Sequence, residues 1–127
     1  MKGSIDISSL NIPPDKDELE TAKHFAEQGK NITFIKPSAI PKIKTPDFEM
    51  DGVDWEVKCP RGKGKRTIDN CVRKAMKQSP NLIINLRHLK SSETKAVDQL
   101  KRDFNSKPKI KKLIVIKKNG DDLIFDK

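Results

Sequence analysis

Apolar positions recur along this chain with two periods, and the change from one to the other marks out its elements. From Asp15 to Gln28, residues Leu19, Ala22, Phe25 and Ala26 form one stripe at helical spacing, and Gly29 ends it. Asn31 to Lys36 reads as a short strand. Pro37, Pro41 and Pro46 hold the following stretch extended or looped. The period becomes strictly two between Pro46 and Cys59, on either side of Asp51-Gly52, a dipeptide that favours a tight hairpin turn. That turn sets a register in which Met50 faces Val53, Phe48 faces Trp55 and Asp47 faces Glu56. One face is then Phe48, Met50, Val53, Trp55 and Val57; the other is Asp47, Glu49, Asp54, Glu56 and Lys58.

Helical spacing returns after a glycine-rich basic loop, Pro60 to Arg66. Thr67 is placed to cap a helix running to about Gln78, with Ile68, Cys71, Val72, Ala75 and Met76 inward. Asn81 to Arg87 reads as a buried strand, and Ser92 to about Phe104 as a third helix with Val97, Leu100 and Phe104 inward. Two last strands, Leu113 to Ile116 and Leu123 to Phe125, flank Asn119-Gly120. A two-residue turn there pairs Lys117 with Asp122 and Lys118 with Asp121, which suits their charges. The order predicts one α/β domain over residues 15–127, a mixed sheet flanked by helices, preceded by an arm over residues 1–14.

Composition narrows the function. Lysine and arginine outnumber aspartate and glutamate by 27 to 18 in a chain of 127 residues. An excess of that size suits a polyanionic partner, above all nucleic acid. No apolar run approaches the roughly 20 residues of a membrane span. The opening Met1-Lys2-Gly3-Ser4 lacks the apolar stretch of a signal peptide, so the expected workplace is a cytosol, reached alone or as part of something larger. His24 and His88 share no useful spacing, which disfavours a two-histidine ribonuclease; both are expected to be structural or surface residues. Cys59 and Cys71 have neither a second cysteine pair for zinc nor an evident base for thiol chemistry. Trp55 falls on the core face, and the scarcity of aromatics disfavours a stacking-based single-strand binder.

The acidic hairpin face needs a reason, because opposed carboxylates repel. A divalent cation supplies one: Mg²⁺ takes hard oxygen ligands, typically one or two carboxylates with waters and substrate phosphate. Lys58, two residues beyond Glu56, points to the same face. A pure phosphate binder gains nothing from carboxylates set in a basic surface, which favours an enzyme over a non-catalytic nucleic-acid-binding module.

Pro46-Asp47 followed by Glu56-Val57-Lys58 resembles the signature of the PD-(D/E)XK nucleases, whose restriction-endonuclease-like core has the same element order. Thr45-Pro46-Asp47-Phe48, Asp51-Gly52, Trp55-Glu56-Val57-Lys58, Pro60-Arg61-Gly62 and Lys77-Gln78-Ser79-Pro80-Asn81 further resemble the tRNase domain at the C-terminus of contact-dependent growth-inhibition toxins, over about Glu18 to Asp126. The resemblance implies an endoribonuclease that hydrolyses tRNA phosphodiesters with Mg²⁺ or another divalent cation such as Mn²⁺. It also implies delivery to a target cell's cytoplasm as the C-terminal part of a larger secreted or surface protein, and neutralisation by a cognate immunity protein. On charge, that partner is expected to be small and acidic. A DNA endonuclease of the same fold is the alternative.

Asp47 and Glu56 would hold the metal, and Lys58 would assist the attacking water. The superfamily places a further acidic residue on the first helix; Glu18 and Glu20 both qualify, with Glu18 preferred because it sits one turn before Ala22. It also places a polar residue from the helix after the motif beside the lysine, for which Gln78 is the candidate. Arg61, Lys63, Lys65, Arg66, Arg73 and Lys77 are expected to contact phosphate. The chain departs from the family at Cys59, where serine is more usual, a change not expected to abolish activity.

Overall fold

A computed structural model describes residues 2–127. Seven strands form one mixed sheet in sequence order, β1 (Ile5–Asp6), β2 (Ile32–Phe34), β3 (Phe48–Met50), β4 (Val53–Lys58), β5 (Asn81–Asn85), β6 (Lys112–Ile116) and β7 (Asp122–Asp126). The pairs β1–β2, β4–β5 and β5–β6 are parallel and the rest antiparallel. Helix α1 (Lys16–Ala26) packs on one face, and α2 (Thr67–Met76) and α3 (Glu93–Ser106) on the other. This is the α/β layering that the two hydrophobic periods predicted.

Each face of the sheet has its own core. Ala22 and Phe25 of α1 meet Phe34, Phe48, Met50, Trp55, Val57 and Ile83. Ile68, Val72 and Ala75 of α2 and Ala96, Leu100 and Phe104 of α3 meet Leu82, Ile84, Leu113 and Val115. Central β5 is buried on both faces, which is why it reads as a continuous apolar run rather than an alternation. A polar link runs through this layer: Asn85 Nδ2 donates to Thr21 Oγ1 at 3.0 Å, both fully buried.

The β3–β4 register is the one read from the turn, with Met50 opposite Val53 and Phe48 opposite Trp55. Asp51 and Gly52 have φ of 56° and 76°, the paired left-handed conformation of a two-residue turn that keeps the strands' own twist. The last hairpin departs from expectation by one residue. Lys117 N–H donates to Asp121 O at 2.8 Å, and Ile116 pairs with Asp122. Lys118, Asn119 and Gly120 form a three-residue loop in which Gly120 takes a φ of 92°. The side chain of Asn119 accepts from the Asp121 N–H at 2.9 Å, which favours the longer loop.

Other differences are local. Residues 2–14 are not only an arm, since Ile5 and Asp6 extend the sheet. Thr67 is the first helical residue of α2, and Arg66 holds the cap position without a side-chain bond. Ser92 does cap α3, accepting from Lys95 N–H, and Ala96 is buried more deeply than Val97.

Gly52 has open space where a Cβ would go, so a side chain there costs only backbone strain. Gly52→Ala is therefore expected to destabilise the fold by about 1–2 kcal/mol, the cost of a left-handed non-glycine residue. A lowered denaturation midpoint at unchanged slope would show it; an unchanged midpoint would contradict this account of the turn.

Candidate active site

Glu56 and Lys58 leave β4 on the α2 side, because Trp55 and Val57 are claimed by the core under α1. Glu56 is only 4% exposed and stands beside Leu82 of β5. Lys58 Nζ lies 3.4 Å from Glu56 Oε2 and keeps about a third of its side chain in solvent (32%). Asp47 sits just before β3, where the ladder breaks step: its N–H donates to Trp55 O at 2.9 Å, and its Oδ2 accepts from the Val57 N–H at 2.8 Å. Its carboxyl lies close enough to Glu56 and to Glu18, which comes from the first turn of α1, for its charge to act on both.

Three carboxyls therefore share one half-buried corner with a single ammonium. Burial, then the charge of Asp47, pushes Glu56 up to about 8 and Glu18 up to about 7. Burial also raises Asp47, against the Val57 N–H that favours its charged form. Glu56 Oε1 is buried with no hydrogen-bond partner. An orphaned carboxylate oxygen on Glu56, with Asp47 beside it and Glu18 beside Asp47, fits a hard divalent cation, which would satisfy the lone pairs and cancel the repulsion.

The remaining predicted residues scatter. Glu20 turns away from Asp47 and meets His88 Nε2 at 2.9 Å, so Glu18 is the helix residue that joins the corner. That bond to His88 is the first cause holding the Glu20 carboxyl below its ordinary range. Gln78 does not reach Lys58. It lies beyond the C-terminal end of α2, near Pro108 and Lys109, while the next residue, Ser79, bonds Asp54 at the opposite end of β4 from Lys58. A helix that follows β4 and returns to start parallel β5 must bring its early turns, not its last, to the Lys58 end. Cys71 accordingly lies near Lys58 and Glu56, and burial pushes its thiol up to about 12. The acidic hairpin face divides as well: Glu49 accepts from the Gly52 N–H, and Asp54 is exposed.

The basic residues occupy separate places. Arg61 is paired with Asp17 on α1. Lys63 and Lys65 lie against the start of α3 near Ser92 and Lys95. Arg66, Arg73 and Lys77 line a groove on the outer side of α2. Two contacts had no signal in sequence spacing. His88 joins Glu20 and Asp17, and His24 Nε2 meets Asp122 Oδ1 at 2.8 Å, tying α1 to β7. Both pairs join residues more than sixty positions apart.

No helix among the described residues is long and apolar enough to cross a membrane. Residues 44–121, more than half of the chain, match the family model for the contact-dependent growth inhibition CdiA C-terminal domain. The match includes Asp47, Glu56, Lys58 and α2 but not Glu18. A solved structure, the CdiA-CT/CdiI toxin and immunity complex from Burkholderia pseudomallei, shares the fold with a TM-score of 0.67 and 23% identity, covering 98% of this chain and 100% of that one. No curated protein matches.

The corner predicts a pH dependence for the metal-free protein. Glu18 and Glu56 keep protons in the folded state that the unfolded chain loses near pH 4.5. The folded state therefore binds more protons between pH 4.5 and about 8, and stability falls as pH rises through that window. Melting temperature in EDTA should drop from pH 5 to pH 8. Glu56→Gln, whose amide can donate to Asp47, should flatten the curve and raise the melting point at pH 8 by a few degrees, the scale of about 1 kcal/mol in a domain of this size. A flat wild-type profile would contradict the shared-proton description.

Proposed function

The chain belongs to the family of CdiA C-terminal domains of contact-dependent growth inhibition, and on that premise we propose that it is a metal-dependent endoribonuclease toxin that cleaves tRNA and is neutralised by an immunity protein. The observation that carries the proposal is the corner where Glu18, Asp47 and Glu56 meet Lys58, with one oxygen of Glu56 buried and unpartnered. A merely solvated acidic face would not bury these groups or raise their affinity for protons. Such a cluster persists at a cost in stability, which is the usual mark of a functional site.

Glu18, Asp47 and Glu56 would hold Mg²⁺ or Mn²⁺, and a cation bound there supplies Lewis-acid polarisation of the phosphate and a more acidic bound water. The protein's own part is positional. The Val57 N–H holds Asp47 in its ionised orientation, and the β5 neighbour Leu82 excludes water from one side of Glu56. Lys58 presents its ammonium from the same side, close enough to orient an attacking water or balance charge gathering on the phosphate. Basic side chains on the 61–66 loop and α2 would hold the RNA backbone. The site of action would be the cytoplasm of a target cell, reached as the C-terminal part of a larger secreted or surface protein.

Alanine at Asp47, Glu56 or Lys58 should lower cleavage of total tRNA by about a hundredfold or more, the scale of losing one group that acts on the reacting atoms. Gel-resolved cleavage with Mg²⁺ and with EDTA, with circular dichroism for folding, checks it. Wild-type rates in any of the three, or full activity in EDTA, would overturn the mechanism. A parallel digest of plasmid DNA separates the two substrate classes.

The formal charge of +9 gives an inhibitor an electrostatic handle. A small acidic immunity protein would associate by long-range steering and cover the RNA-binding surface. Its association rate, measured at two salt concentrations, should fall as salt rises, whereas the dissociation rate should change little. A salt-independent association rate would point to docking through an uncharged surface.

A further inference from the structure

Only five of the 27 lysines and arginines form ion pairs among the described residues, so what distinguishes the groove is how many free cations face it together. Lys2, Lys30, Lys58, Arg61 and Lys112 each pair with a carboxylate. Arg66, Arg73, Lys77, Lys107, Lys109 and Lys111 enter no ion pair among the described residues. These six line one continuous surface. Cavities of about 770 and 570 Å³ run together along it, sharing Met76, Lys77, Pro108 and Lys109. One wall is the outer side of α2; the other is the turn that joins α3 to β6. Five of the six are exposed and Lys107 is half-buried. Asp69 is the one acid among the lining residues, and Gln99 already donates to it at 2.9 Å.

We propose that this groove is a phosphate track for folded RNA, outside the catalytic corner and built from the 107–111 turn as much as from α2. The proposal rests on the nuclease reading above and adds to it the surface that grips double-stranded substrate. Two observations favour RNA. First, unpaired lysines and arginines stand on both walls and the single acid of the lining, Asp69, is already engaged by Gln99, so the groove presents a run of positive charge suited to successive phosphates. Second, the groove is continuous with the site through one helix. Cys71, on the inner side of α2, lies near Lys58 and Glu56, while Arg66, Arg73 and Lys77 line the outer side. Helical rise places Arg66 and Lys77 roughly 16 Å apart. One strand of a B-form DNA duplex carries a charge about every 3.4 Å along its axis and an A-form RNA duplex spaces them more closely, so that wall spans roughly five or more successive phosphates. The turn bearing Lys107, Lys109 and Lys111 is held from below by buried Ile110 and by the Lys111 N–H donated to Pro80 O at 2.8 Å, so its cations are presented on a fixed frame.

The test measures binding of a fluorescein-labelled 20-base-pair RNA duplex to the full chain in EDTA over a range of salt concentrations. Replacing Lys107, Lys109 and Lys111 together by Gln should weaken binding at least tenfold at 100 mM salt. It should also reduce the slope of log affinity against log salt by about two to three, since each lost phosphate contact removes nearly one unit. The matching triple replacement by Arg should restore the slope, which separates charge from folding. An unchanged slope in the Gln variant would overturn the proposal. The two readings fail separately. If the Gln variant binds like wild type while Asp47→Ala abolishes cleavage, the groove falls and the nuclease stands. If the slope changes but the wild-type chain cuts no RNA, the groove stands and the nuclease falls.

Discussion

The two-residue turn at Asp51-Gly52 is the constraint on which both the core and the candidate site rest. A strand side chain can face only one of two ways, so the turn that aligns β3 with β4 sorts every residue of the hairpin at once. Phe48, Met50, Trp55 and Val57 go under α1, and Trp55 Nε1 donates back to Met50 O at 3.2 Å, closing the turn from the core side. Asp47, Glu56 and Lys58 are left on the other side because the register leaves them nowhere else. A slip of one residue would bury the carboxylates under α1 and expose Trp55. The hydrophobic energy of four large side chains, on the order of 1.5–3 kcal/mol each, therefore holds the carboxyls together against their repulsion.

That repulsion is concentrated rather than relieved. Lys58 is a single, partly solvated cation against three carboxyls, and Glu56 Oε1 has no donor at all. Burial, and then the charge of Asp47, raise Glu18 to about 7 and Glu56 to about 8, so the metal-free corner relieves the tension by keeping protons. The same groups would be fully ionised around a divalent cation, so one corner serves as a proton store when empty and as a ligand set when filled. Several other acids find a cation, Asp17 with Arg61, Asp51 with Lys30 and Asp126 with Lys112, whereas buried Asp103 has only Gln99 on one oxygen and none on the other.

The distribution of cations complements this corner. In the primary structure the basic residues look like one diffuse excess. Folding commits Arg61 to Asp17, leaves Lys63 and Lys65 beside α3, and gathers six unpaired cations on α2 and the turn before β6. Lys107, Lys109 and Lys111 thus join Arg66, Arg73 and Lys77 from thirty or more positions along the chain. A charge that is spread evenly in sequence becomes directional in space.

The α/β layering, the β3–β4 register and the meeting of Asp47, Glu56 and Lys58 were legible in the residues themselves. Each depends on local periodicity and a turn whose geometry follows from its own dipeptide. The last hairpin shows where local reading stops, since Asn119-Gly120 suits a two-residue turn, and the bond from the Asp121 N–H to the Asn119 side chain instead favours three. The preference for Glu18 over Glu20 was also legible, because two residues on one helical turn point to different sides and Glu18 lies at the edge of the buried stripe. Gln78 was misplaced because spacing does not say which end of a returning helix lies over the strand before it. The pairs His24–Asp122 and Glu20–His88, and the groove beyond α2, belong wholly to tertiary structure. Sequence determines contacts made across one turn or one strand pair; those made between residues sixty or more apart depend on how whole elements pack, and only the folded chain decides them.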